Sequence, residues 1–300
     1  MAEIVIVGKS KGIKELMSFI SKSAKSNANV LFTGETGVGK ELAAKMIHAI
    51  SQRKAKPFIK LNSANLNENL FESQLFGHKK GAYTGAYFEK QGLIEEAHEG
   101  VFFFDEIADT SPYIQAKMLE VIEQKKMRRL GENIYRDLDI RYIFATNKDL
   151  RALIEKDKFR EDLYFRINIL TFRIPPLRER EEDIPLLVAA YIKKLEMKYS
   201  EKKCISTFAL DKIREYDFPG NVRELENMLE RAYVCSETDA IQPEDIIPEG
   251  YTRNHGPRSK ITPAIIQKQL LSNGGNRART AKCLGISRQW LHKLIKMNSV

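Results

Sequence analysis

The chain has 300 residues, 43% of them hydrophobic, enough for the cores of two or three domains. No apolar run approaches the roughly 18–20 residues that span a bilayer, and Met1-Ala2-Glu3-Ile4 lacks the basic segment and apolar stretch of a secretory signal. The net charge of +9 is unevenly placed: residues 251–300 hold ten of the 49 Lys and Arg and none of the 40 Asp and Glu, which points this end toward nucleic acid.

The first informative element is the apolar run Asn29-Val30-Leu31-Phe32-Thr33, followed by Gly34-Glu35-Thr36-Gly37-Val38-Gly39-Lys40 and an amphipathic stretch from Glu41 to Ile50. That is the strand, loop and helix of a phosphate-binding loop of the form GxxxxGK. Its glycines let backbone N–H groups turn toward phosphate, the helix N-terminus faces the anion, and Lys40 reaches the β and γ phosphates of ATP. Glu41 stands where Ser or Thr is usual, so the standard hydroxyl ligand for Mg2+ is missing.

Phe58–Leu61 reads as a second buried strand. The hexapeptide Gly81-Ala82-Tyr83-Thr84-Gly85-Ala86 comes next, four of its six residues Gly or Ala. It reads as a mobile tip that displays one aromatic ring and one hydroxyl. Val101–Phe104 is a third strand, too aromatic for a surface, and it ends in Asp105-Glu106. Asp105 is placed to hold Mg2+ and its water, and Glu106 to polarise the attacking water as general base. Ile140–Ala145 is a fourth strand, ending in Thr146 and Asn147, where polar groups can sense the γ-phosphate. Arg160 and Arg166 follow six residues apart; they fit either ordinary surface ion pairs or cations offered to a neighbouring subunit's transition state.

Ile174-Pro175-Pro176 breaks the pattern. A doubly wound α/β layer is therefore expected over 1–174 and a small helical lid over 175–247, with helices at Ile184–Tyr199, Phe208–Tyr216 and Asn221–Ser236. Asn221, after Pro219-Gly220, is the expected N-cap of the last. Residues 248–260 read as a linker, and three short helices near 262–272, 276–284 and 287–297 fill an all-α domain at 261–300. There Asn276 and Ser287 can cap, and Gly285 can supply the left-handed turn of a helix-turn-helix. Arg277, Arg279, Ser287, Arg288, Gln289, His292, Lys293 and Lys296 are its candidate contacts with double-stranded DNA. Trp290 suits either the small core or a base contact. Cys204, Cys235 and Cys283, odd in number and without a CxxC pair, read as reduced and mostly buried thiols of a cytosolic protein.

Taken in order, these motifs resemble one family, the bacterial enhancer-binding proteins, NtrC-type activators of sigma-54 RNA polymerase. The likeness covers nearly the whole chain. It includes Ile6-Val7-Gly8-Lys9-Ser10, the loop with Glu41, Pro57-Phe58-Ile59-Lys60-Leu61-Asn62 and Glu72-Ser73-Gln74-Leu75-Phe76-Gly77-His78. Ala145-Thr146-Asn147, Pro175-Pro176-Leu177-Arg178-Glu179-Arg180 and Gly220-Asn221-Val222-Arg223-Glu224-Leu225 continue it.

The resemblance implies an AAA+ P-loop ATPase, a parallel sheet between helices, with a helical lid and a Fis-type helix-turn-helix. It implies that Asn62 holds Glu106 off its water, that Asn147 is sensor 1, that Arg160 and Arg166 are arginine fingers, and that Arg223 is sensor 2. Arg129 matches an arginine near the subunit interface. The hexapeptide resembles the GAFTGA loop, which contacts sigma-54 holoenzyme and moves with the nucleotide cycle. Such proteins are cytoplasmic homo-oligomeric rings, commonly hexamers, with a dimer as an inactive form, and they bind DNA upstream of the promoter.

Two residues depart from the pattern: Tyr83 stands where Phe is usual, and Phe218 replaces a common Trp. Many relatives also carry an N-terminal sensing domain, so regulation by a separate protein, or a longer parent chain, is expected. Two rival readings are a DNA-tethered repressor without sigma-54 coupling and a general AAA+ remodeller; the hexapeptide argues against the first, and the hexapeptide with the basic end argues against the second.

Overall fold

A computed structural model of the chain describes residues 5–63 and 68–248, together with 277 and 280. Backbone contacts divide the chain into a unit Met1–Asp245 and a unit Ile246–Val300. In the second, Arg277 is helical and exposed and Thr280 helical and buried. The linker and the three helices expected beyond residue 248 otherwise lie outside the described residues, as do Arg279, Ser287, Arg288, Gln289, His292, Lys293, Lys296, Trp290 and Cys283.

The first unit opens with helix α1 (Lys11–Ser23), strand β1 (Val30–Thr33), α2 (Lys40–Ile50), β2 (Phe58–Asn62) and α3 (Glu68–Phe76). The hexapeptide lies between the short strands β3 (Gly77–His78) and β4 (Lys90–Gln91). Then come α4 (Leu93–Glu96), β5 (Val101–Asp105), α5 (Pro112–Gln124), the small hairpin β6 (Lys126–Met127) and β7 (Arg136–Asp137), and β8 (Arg141–Thr146). Helices α6 (Leu150–Ile154) and α7 (Glu161–Ile167) lead to β9 (Leu170–Arg173).

Five strands form one parallel sheet in the order β2-β5-β8-β1-β9. Strand β8, which ends at Thr146 just before Asn147, is thus inserted between the P-loop strand and the acidic strand, so all three deliver their last residues to one edge. Both faces of the sheet are covered, which is why its central strands are continuous apolar runs rather than alternating ones. The pleat sends Val101 and Phe103 toward Ile13, Leu16, Ile20, Ala43 and Ile47 of α1 and α2. It sends Phe102 and Phe104 toward Leu75, Ile114, Met118, Leu163 and Ile167 of α3, α5 and α7. All three phenylalanines are fully buried, each stabilising the layer by about 2–3 kcal/mol. Phe103→Ala should cost about 3–5 kcal/mol.

The lid holds α8 (Ile184–Tyr199), β10 (Cys204–Ile205), α9 (Thr207–Arg214), α10 (Asn221–Cys235) and β11 (Ala240–Ile241). Two expectations are corrected here. Asn221 does not cap α10: its backbone is left-handed (φ 55°), and its side chain accepts from Leu177 N–H and donates to the P-loop. Glu224 reaches back instead, its carboxylate accepting from Gly220 N–H at 2.7 Å and from the Tyr216 hydroxyl. Cys204 and Cys235 are free but exposed rather than buried, because each sits on the solvent side at the margin of its element. No helix among the described residues is long and apolar enough to cross a membrane.

Candidate functional site

The strand ends and the lid enclose a cleft of about 630 Å3, lined among others by Thr36 to Glu41, Asn62, Asp105, Glu106, Asn147 and Arg223. Gly34 and Glu35 line the neighbouring pocket. The loop is held at its start by Gly34 N–H donating to Thr146 O and at its end by Gly39, which precedes α2 in a left-handed conformation. Lys40 is almost wholly buried; its Nζ donates to Gly34 O at 2.8 Å and Glu35 O at 3.3 Å, and faces Glu106 Oε1 at 3.3 Å.

Glu106 is held from three sides. Its Oε2 accepts from Asn147 N–H at 2.9 Å, its other oxygen faces Lys40, and its carbonyl accepts from the Ser63 hydroxyl. Its backbone is left-handed, φ 56°, a conformation that costs a non-glycine residue about 1–3 kcal/mol and gathers at functional sites. Asn147 also donates from Nδ2 to Thr36 Oγ1 at 3.1 Å, tying the fourth strand's end to the P-loop. Asn62 Nδ2 donates to Asp105 Oδ2 at 3.2 Å, which places it on the metal-holding carboxylate of the sequence reading.

Asp105 is pushed above the ordinary carboxylate range, first by burial and then by the charge of Glu106, against the pull of Lys60 and Lys40. An oxygen donor whose negative charge is short of compensation suits a hard divalent cation. Among the described residues no group of three or more His, Cys, Asp or Glu is arranged to hold an ion. Glu41 bonds to Lys45 at 2.8 Å and Lys60 at 2.5 Å. Burial raises its pKa, but these two hydrogen bonds outweigh it and keep the carboxyl ionised.

The lid closes directly on the loop. Val222 N–H donates to Gly37 O, and Asn221 Nδ2 donates to Thr36 O at 3.0 Å and Glu35 Oε2 at 3.1 Å. Arg178 grips Glu35 with two hydrogen bonds, at 2.8 and 2.5 Å, and buried Arg180 donates to Val38 O. Gly37 has φ 81°, and a Cβ there would lie 2.1 Å from Gly220 O. Arg223 lines the cleft from the same helix, α10. No role was expected for Ser63, Lys60, Arg178 or Arg180, nor for Glu35 in the clasp; the signals were a lysine in the middle of the apolar run Phe58–Leu61 and the two arginines of Pro175-Pro176-Leu177-Arg178-Glu179-Arg180.

Arg160 and Arg166 stay out of this cleft. Arg160 forms a local pair with Asp162 at 2.6 Å, and Arg166 meets Glu123 at 3.1 Å; all four side chains are exposed. Arg129 is committed within its own chain, with two hydrogen bonds to Glu95 at 2.7 and 2.8 Å and an ion pair to Glu89. These contacts fix the root of the hexapeptide, where Leu130 N–H donates to Gly77 O and Lys79 N–H to Leu130 O. In the hexapeptide, Gly81 N–H donates to Ala86 O and Ala86 N–H to Tyr83 O, with Ala86 buried and Thr84 exposed. Tyr83 is 42% exposed, whereas the following Tyr87 and Phe88 are 74% and 82% exposed.

A P-loop at the end of β1, an acidic pair at the end of β5, a polar sensor strand between them and a helical lid closing on the loop define an AAA+ ATPase. The sequence family described as the sigma-54 interaction domain matches residues 6–173, an AAA+ ATPase lid domain matches 178–262, and a bacterial regulatory protein of the Fis family matches 264–296. The chain is 41% identical over 297 residues to the transcriptional regulatory protein ZraR of Escherichia coli, covering 95% of this chain and 67% of that one. It is 45% identical over 242 residues to the response regulator protein PilR of Pseudomonas aeruginosa, covering 80% of this chain and 54% of that one. The crystal structure of NtrX from Brucella abortus in complex with ATP matches with a TM-score of 0.77 at 30% identity, over 99% of this chain and 70% of that one. The chain belongs to the sigma-54-dependent, NtrC-type transcriptional activators: an AAA+ ATPase with a lid and a Fis-type helix-turn-helix.

Proposed function

We propose that this activator binds upstream DNA through its basic helix-turn-helix and spends ATP in the cleft to convert the closed complex of sigma-54 holoenzyme into an open one. The reading divides the chain into an ATPase subdomain 1–174, a lid 175–247, a linker 248–260 and a DNA-binding domain 261–300. The observation that carries it is Glu106, suspended between Lys40 and Asn147 in a left-handed backbone at the end of a buried strand.

In this arrangement the base is masked until substrate arrives. Phosphate entering the P-loop competes for the Lys40 ammonium, and the Glu106 oxygen facing that ammonium is released to orient and polarise water. Asn147, bonded to Glu106 through its backbone and to Thr36 through its side chain, reports the γ-phosphate to the strand edge. Asp105 is the residue to hold Mg2+, with Asn62 steadying its carboxylate; the ion supplies charge neutralisation on the phosphates. Arg223 contacts nucleotide from the lid. Arg160 and Arg166, exposed and away from their own cleft, serve the cleft of the next subunit in a homo-oligomeric ring, a hexamer in the commonest form. Gly81 to Ala86 is the sigma-54 contact. The protein works in the cytoplasm.

The test is open-complex formation on a sigma-54 promoter, read by permanganate reactivity of melted thymines. Melting that requires ATP hydrolysis and fails with Lys40→Ala supports the reading. Repression of the promoter, or melting without nucleotide, overturns it.

A further inference from the structure

The hydroxyl that distinguishes Tyr83 from phenylalanine has a partner. Tyr83 Oη lies 3.3 Å from Ser73 Oγ on α3, and Ser73 Oγ lies 2.7 Å from His78 Nδ1 on β3. The Tyr83 ring stands edge-on to the His78 imidazole, centroids 5.1 Å apart. Ser73 and His78 are both buried, at 5% and 7% exposure, so the chain of polar atoms is anchored in the body of the protein while Tyr83 belongs to the loop. The chain is satisfied in either histidine tautomer. With a neutral Nδ1, Tyr83 donates to Ser73 and Ser73 to histidine; with a protonated Nδ1, histidine donates to Ser73 and Ser73 to the phenol oxygen.

We propose that Tyr83 is a positioning residue whose hydroxyl latches the hexapeptide down onto Ser73 and His78, so that the loop must break this hydrogen bond to extend toward its partner. The inference rests on the reading of the loop as the sigma-54 contact. A phenylalanine in this position keeps the ring on His78 but loses the tether. In the latched state Tyr87 and Phe88 are more open to a partner than Tyr83, at 74% and 82% exposure against 42%. The latch therefore separates two roles: Tyr83 sets how readily the loop rises, and its neighbours remain available whether it has risen or not.

The experiment is amide hydrogen exchange on the full chain with ADP, comparing Tyr83→Phe, Ser73→Ala and the double variant, alongside binding to sigma-54 holoenzyme in ADP. Each single variant should speed exchange across residues 79–86 about fivefold, as expected for one net hydrogen bond. The double variant should be no faster than either single one, because both remove the same bond. Holoenzyme affinity in ADP should rise by a similar factor, and Ser73→Ala should keep its ATP turnover measured without holoenzyme. Unchanged exchange in Tyr83→Phe, or additive effects in the double variant, overturns the latch. Faster, non-additive exchange with no change in holoenzyme binding supports the latch and instead removes sigma-54 as the loop's partner.

Discussion

The nucleotide cleft and the hexapeptide loop both depend on glycine, for opposite reasons. At Gly37 a side chain has no room: a Cβ would meet the Gly220 carbonyl at 2.1 Å, because the lid is docked on the P-loop. At Gly85, φ 103°, a Cβ would meet nothing within 4 Å; what excludes a side chain is the backbone conformation alone. The cleft is thus a region where contacts fix geometry, and the loop one where local backbone fixes shape and little else holds it beyond a few short hydrogen bonds and the Tyr83 tether.

In the proposed ring, Arg160 and Arg166 make the cleft's precision a property of two subunits, and the largest effect is expected there. Arg160→Ala or Arg166→Ala should lower ATP turnover about 10³-fold. Mixed with Lys40→Ala subunits, either variant should regain activity, since intact arginines then face intact P-loops; steady-state turnover across mixing ratios checks this, and a flat response contradicts it.

Within the cleft, Glu106→Gln should keep ATP affinity and slow hydrolysis about 10²-fold or more. Nucleotide binding by fluorescence and phosphate release together read this outcome. Normal turnover would remove Glu106 as the base.

Gly37→Ala and Gly85→Ala sharpen the contrast directly. The first forces the lid off the loop and should weaken ATP binding strongly as well as destabilise the fold. The second should cost only backbone strain, about 1–2 kcal/mol, and leave ATP affinity in place. Equal effects of the two on nucleotide binding would erase the distinction between the regions.

The smallest expected effect concerns the Glu35–Arg178 clasp. Hydrogen bonds from Arg178 and then Asn221 hold the Glu35 carboxyl down at about 2, against an ordinary 4.5. Because the folded value is the lower one, the contribution is complete above pH 4.5 and is lost as pH falls toward 2. Water screens this exposed pair, so the effect is modest. Arg178→Ala should flatten the acid limb of a melting-temperature profile, and an unchanged limb would show the clasp to be idle.

The ATP site was legible because its chemistry is local. Gly34 to Lys40 and Asp105-Glu106 announce themselves in short runs, and buried parallel strands are continuous enough in Val101–Phe104 to be unmistakable. The fifth sheet strand, Leu170–Arg173, escaped notice because it lies at the edge, half-exposed and too short to show a period. The lid clasp was illegible for another reason: Glu35, Arg178 and Asn221 meet only because the lid folds back over more than 140 residues. Asn221 reads as a helix cap by residue type and position, yet its amide goes to the P-loop once that loop is beside it. The Tyr83 hydroxyl was visible as an anomaly, but its partner Ser73 sits on a helix with no sequence mark of that role.

In the proposed function, hydrolysis in the cleft is converted to work on sigma-54 holoenzyme through the hexapeptide. That conversion is tested most directly by measuring ATP turnover and sigma-54 open-complex formation together in Thr84→Ala, whose exposed side chain makes no contact with the cleft. The account predicts retained turnover with melting abolished. Melting at the wild-type level would contradict it.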